Sequence, residues 1–168
     1  MTRFLAAALA LFCLTGCAGY RLGDVKPNYL RDIKSIAILN FKNTTFQPRV
    51  ETLVANSIIK QFQQDGTFRI TTVDKADAVL DGVVSGLNRN PARSVRGDVL
   101  ATTEFNLVLN VGYTLRGRDG KPLVGPASTS GSTSFFVGSD VTTDERQALP
   151  LAAEDLAVRL VSQISEGW

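Results

Sequence analysis

Three kinds of side chain in this sequence have chemistry to offer: two cysteines, a scatter of carboxylates and a group of closely spaced arginines. Histidine is absent from all 168 residues. That absence removes the commonest general base, the commonest zinc ligand and every Ser-His-Asp or Cys-His arrangement. Catalysis by paired carboxylates stays chemically open. However, the 16 Asp and Glu are dispersed, and no pair of them stands in an apolar setting. The residue types favour binding or structure over catalysis. They point to no enzyme activity, no metal and no cofactor.

The cysteine at 17 has the most definite chemistry. Met1 to Arg3 carry one positive side chain, and Phe4 to Leu14 is apolar apart from Cys13. Charged-then-apolar order marks a secretory signal. A membrane-spanning helix needs roughly 20 apolar residues, more than this run supplies. The run ends in Leu14-Thr15-Gly16-Cys17, which resembles the bacterial lipobox. The Cys17 thiol then takes a diacylglycerol through a thioether, and its freed amine can take a third chain. Each buried methylene is worth ~0.8 kcal/mol, and one chain anchors only marginally, so two or three anchor stably. The competing reading is an ordinary signal peptide with a cysteine near its end. Ala18, rather than Asp, follows the cysteine and leans towards the outer membrane.

This reading divides the chain into a removed signal (1–16), a lipidated N-terminus and tether (17–33), and one domain (34–168). A tether of about 15 residues reaches at most ~50 Å, so the domain works close to a membrane. Cys13 leaves with the signal, so no cysteine remains for a disulfide. Arg3 also leaves, which brings the 18 Lys and Arg almost level with the 16 Asp and Glu. Nothing in that balance attracts nucleic acid.

The arginines form two groups. Arg89, Arg93 and Arg96 fall in one short polar segment, and Arg116, Arg118 and Lys121 surround a turn. Arginine's planar fork suits phosphate. If both segments lie at one end of a sheet, they form a basic rim for a phosphorylated ligand. The alternative is ordinary surface charge on a solvated loop.

The elements that must position these residues follow from periodicity. Lys34 to Phe41 reads as a buried strand. Asn43 to Pro48 is turn chemistry, with Pro48 suited to a first helical turn. Val50, Leu53, Val54, Ile58, Ile59 and Phe62 make one helical stripe, which Gly66 ends. Thr67 to Val73 and Ala76 to Leu87 read as strands, and Gly82 and Gly86 mark a bulge or a close approach in the second. Asn88 to Asp98 reads as a polar loop. Phe105, Leu107, Leu109, Val111, Tyr113 and Leu115 alternate with mostly polar residues, which gives a half-buried antiparallel strand. Asp119-Gly120 turns the chain into a return strand, Pro122 to Val137, dominated by Ser, Thr and Gly. Thr142 to Glu145 fits a capping box ahead of a last helical stripe. Pro150 is expected to kink that helix or delay its start to about Leu149. The expected class is α+β: two helices on one face of a mostly antiparallel four- to five-stranded sheet, a two-layer sandwich.

At whole-chain level the sequence resembles the lipopolysaccharide-assembly lipoproteins, the LptE-like family. The resemblance lies in Cys17-Ala18-Gly19-Tyr20 with Leu22, in Asn40-Phe41-Lys42-Asn43-Thr44-Thr45, and in Pro48-Arg49 with the helix after them. It continues in Ser94-Val95-Arg96-Gly97-Asp98 and in Asp144-Glu145-Arg146-Gln147-Ala148. The resemblance implies a lipidated protein at the periplasmic face of the outer membrane. It also implies an LptD-like β-barrel partner, with the domain as a plug in its lumen, and contact with lipopolysaccharide. On that reading the six basic residues face lipopolysaccharide phosphates. The Ser/Thr/Gly strand then suits a polar lumen, although a plain solvent-facing edge strand would have the same composition. A pilotin-type or other periplasmic adaptor lipoprotein would share the anchor and the size. A carboxylate-based hydrolase of cell-wall glycans is the remaining rival.

Overall fold

The computed structural model describes residues 26–95 and 98–167, without the side chains of 94, 95 and 98–103. The signal, Cys17 and Arg96 lie outside the described residues.

From Lys26 onward the segment lies on the fold. A short helical turn, Asn28–Leu30, carries Leu30 into the core. Strand β1 (Ser35–Ile38) is buried along most of its length. Its start is fastened by Asp77, whose carboxylate accepts from the Lys34 and Ser35 amides and from the Ser35 hydroxyl at 2.8 Å. A two-residue strand, β2 (Lys42–Asn43), follows and takes in the first residue of the expected turn.

Helix α1 (Val50–Asp65) starts two residues after Pro48, which therefore lies outside its first turn. Arg49 adopts φ 62°, in the left-handed region that few non-glycine residues visit, and separates Pro48 from the helix. Val50, Val54, Ile58 and Phe62 of the expected stripe are buried, while Leu53 and Ile59 are only partly covered. Gly66 closes the helix at φ 75°, donating its N–H to the Phe62 carbonyl.

The strand expected over Thr67 to Val73 shrinks to β3 (Arg69–Ile70), because β1 offers it only two register partners. Strands β4 (Ala78–Val95) and β5 (Asp98–Gly117) form a long hairpin. This corrects the loop expected over Asn88 to Asp98, where β4 continues as strand. Beyond Val84, β4 pairs with β5 alone among the described residues, so Pro91 sits on a free edge that tolerates a missing N–H. Gly82 lies under the Phe41 ring, and the register shifts between Val84 and Gly86, as the two glycines suggested. At the next turn Gly120 takes φ 78° and donates to the Gly117 carbonyl. Strand β6 (Pro122–Phe136) then returns along β5.

Helix α2 (Val141–Glu166) starts well before Pro150 and runs through it. Its cap is Asp140, which accepts from the Thr142 amide and the Thr143 hydroxyl, rather than the expected Thr142–Glu145 box. That leaves Glu145 free for a different partner.

The sheet order is β3-β1-β4-β5-β6, with β2 on β4 beyond the end of β1. Among the described residues it has six strands rather than four or five. It is also mixed: β1 runs parallel to β3 and β4, and β2 parallel to β4, while the long β4–β5–β6 pairings are antiparallel. The α+β class holds. The two helices lie side by side, and α2 packs chiefly on β6 and α1. Leu107, Leu109, Val111, Tyr113 and Leu115 of β5 point into one core shared with both helices.

Strand β6 has few large side chains, yet it carries the helix. Ala127, Thr129, Gly131, Thr133 and Phe135 face inward and Ser128, Ser130, Ser132 and Ser134 face outward. A Cβ on Gly131 would overlap the Ala152 carbonyl and the Leu156 amide. The missing side chain is what lets α2 settle against the strand.

Candidate functional site

The alternation that buries one face of the sheet puts a polar surface on the other. Cross-strand register places Ser134 beside Asn106, Ser132 beside Val108, Ser130 beside Asn110 and Ser128 beside Gly112. On the β4 side, Asn90 lies beside Asn106, Asn88 beside Val108 and Gly86 beside Asn110. The result is a broad uncharged surface of serine and asparagine, with hydroxyls and amides that both donate and accept. The Ser/Thr/Gly composition of β6 pointed to half of this surface. The asparagines that complete it alternate with the apolar residues of β5 and sit in a part of β4 that looks like a loop in sequence.

The basic residues do not form one rim. Arg89 pairs with Leu107 and Arg93 with Glu104, near the β4–β5 turn. Arg116 pairs with Val79, at the far end of the same hairpin. At ~3.3 Å per residue, the two groups stand on the order of 30–40 Å apart.

Their surroundings also differ. Arg118 donates through Nε to the Ala76 carbonyl at 2.7 Å and through Nη2 to the Lys75 carbonyl at 3.1 Å, with Asp77 at 3.7 Å. It is a clasp between the β5–β6 turn and the residues before β4. Arg116 lies 3.3 Å from Asp81 and Lys121 lies 3.5 Å from Asp119. At the other end, Arg89 spans the Phe105 ring and reaches Glu145 of α2 at 2.8 Å. Arg93 lies 3.7 Å from Glu104 and leaves 71% of its side chain exposed.

Two carboxyls are held below the ordinary range by fixed donors. For Asp77 the Ser35 hydroxyl contributes most, then the Lys34 amide. For Asp140 the Thr143 hydroxyl leads, then the Thr142 amide, with Arg146 adding a smaller effect. Both act in local structure, at a strand start and a helix cap. No group of His, Cys, Asp and Glu among the described residues is arranged to hold a metal. No helix among them is long and apolar enough to cross a membrane.

Two helices on one face of a mixed sheet is a fold this chain shares with solved bacterial proteins, lipoproteins among them. A minor lipoprotein from Acinetobacter baumannii is 19% identical, covering 80% of this chain and 92% of its own, with a TM-score of 0.54. The PelC dodecamer from Paraburkholderia phytofirmans is 16% identical, covering 79% and 88%, with a TM-score of 0.52. Lipoprotein B from Nitrosomonas europaea is 11% identical, covering 88% and 86%, with a TM-score of 0.53. At these identities the fold is what they share. Among curated proteins, nothing matches the chain. The family model for LptE, lipopolysaccharide-assembly, matches residues 33–164, and the chain belongs to that family. It is, at family level, a lipoprotein of lipopolysaccharide assembly in the cell envelope.

Proposed function

We propose that this chain is a non-enzymatic outer-membrane lipoprotein. It is anchored at the periplasmic face through acyl chains on Cys17, and its domain plugs and props the β-barrel that places lipopolysaccharide in the outer leaflet. The observation that carries this reading is the serine–asparagine sheet face. Barrel lumens are polar, so a plug needs a hydrophilic contact surface. Uncharged hydroxyls and amides can pair with such a wall without burying unmatched charge.

The tether supports an orientation. Pro27 lies against Gly167, just past the C-terminal end of α2. That is the same end of the domain as the β5–β6 turn, so the described chain begins at the end that carries Arg118 and Lys121. The far end of the β4–β5 hairpin, with Arg89 and Arg93, then stands away from the anchor by about the length of the sheet. A bilayer core is ~30 Å thick, so this end reaches towards the opposite leaflet. Lipopolysaccharide phosphates fall to this arginine group. Arg116, Arg118 and Lys121 serve the fold near the anchor.

A photo-crosslinker replacing Ser130 tests the lumenal contact. The expected product is a covalent adduct with a membrane-embedded β-barrel. Adducts confined to soluble periplasmic proteins would favour a pilotin-type adaptor instead.

A further inference from the structure

The two helices begin side by side, and between their first turns lies an open cleft of about 690 Å³. Its walls are Pro48, Val50, Leu53, Leu149 and Pro150, and at its rim stand Arg49 and Arg146. A second hollow of about 370 Å³ shares Gln47 and Glu145 with it and continues past Thr44, Thr45 and Asn88. Together they form one groove, apolar at one end and polar at the other. Phe46 stands fully exposed on its lip.

The charges in the groove are unbalanced. Glu145 already faces Arg89. Arg49 and Arg146 are exposed, and neither has an ion-pair partner among the described residues. Asp140 senses Arg146 without reaching ion-pair distance. An apolar trough with two uncommitted guanidiniums at its rim complements a ligand that carries an apolar group beside an anion. Arginine binds carboxylate in a two-pronged geometry. The polar continuation, lined by hydroxyl and amide groups, suits an extended backbone more than an acyl chain.

We propose that this groove receives an extended polypeptide segment of a partner, with an aliphatic side chain in the cleft and an adjacent Asp or Glu on Arg49 and Arg146. The groove's polar end meets the serine–asparagine face at Asn88, but its apolar cleft and the two arginines lie on the helices, and the proposal does not depend on the barrel reading.

The test is a fluorescence-anisotropy titration of the purified full chain with two labelled peptides, one alternating Leu and Glu and one alternating Leu and Gln. Phosphatidylglycerol vesicles form a third arm. The Leu/Glu peptide is expected to bind. Arg146→Gln is expected to weaken it by about tenfold, the size of one charge-assisted contact, and Arg49→Gln with Arg146→Gln to abolish it. Arg146 is exposed on a helix, so the single variant should fold normally, and an unchanged thermal transition checks this. Equal binding by the variants, equal binding of the Leu/Gln peptide, or no binding of either peptide overturns the proposal. Arginine-dependent binding to the vesicles in preference to the peptide overturns it in favour of a lipid site.

Discussion

Gly131 of β6 lies directly beneath the backbone of Leu156 in α2, with no room for a Cβ between them. The chain places a strand dominated by Ser, Thr and Gly under its longest described helix, and contact is made by removing a side chain rather than by adding one. Gly131→Val is therefore expected to destabilise the domain by about 1–3 kcal/mol through overpacking. Ser130→Ala, one residue along on the outer face, should stay within about 0.5 kcal/mol. Urea unfolding of the two variants checks the contrast. Equal effects would mean that α2 does not rest on Gly131.

The same interface gives a second test. Leu156 is fully buried between α2 and the sheet. Leu156→Ala should cost about 2–5 kcal/mol, from lost transfer energy and the cavity left behind. A near-zero cost would place the buried face of α2 elsewhere.

These packing residues were largely legible in the sequence. The stripes of both helices and the alternation of β5 come from periodicities that burial imposes directly. The second half of β4 was not legible. Asn88, Arg89, Asn90 and Pro91 read as a loop because they lack an apolar alternation. Asn88 and Asn90 face outward, and Arg89 takes an inward position where it covers Phe105 and reaches Glu145 instead of filling core. The parallel pairings of β2 and β3 escaped for another reason: strands of two residues carry no period. The separation of the two arginine groups follows from the same missed stretch, because a longer hairpin moves its turn to the far end of the sheet.

Acid should expose the role of Asp77. Its carboxyl titrates below the ordinary value of 3.8, so the stability it lends is complete above that value. It is lost as pH falls through the lower, folded-state value, because the unfolded chain binds the proton first. Asp77→Asn should be less stable than the native chain at neutral pH and should lose less further stability below pH 3.8. Parallel acid titrations followed by circular dichroism read this out. Identical acid curves would remove Asp77 from the account.

The two arginine groups are expected to separate in function. Arg93→Ala with Arg96→Ala should weaken lipopolysaccharide binding, and added salt should erase the difference, since exposed charges are screened over about 10 Å at ~0.1 M. Arg118→Ala should leave lipopolysaccharide binding unchanged. Its cost is stability, about 1 kcal/mol, from its hydrogen bonds to Lys75 and Ala76. Binding at several ionic strengths, with unfolding curves beside it, distinguishes the two. The reverse pattern would put the glycolipid at the anchored end.

The central claim is partnership with a barrel. It is tested most directly by affinity purification of the tagged full chain from detergent-solubilised outer membrane, with identification of what comes with it. The account predicts one large outer-membrane β-barrel in stoichiometric amount. Recovery with a different envelope complex and no barrel would contradict it.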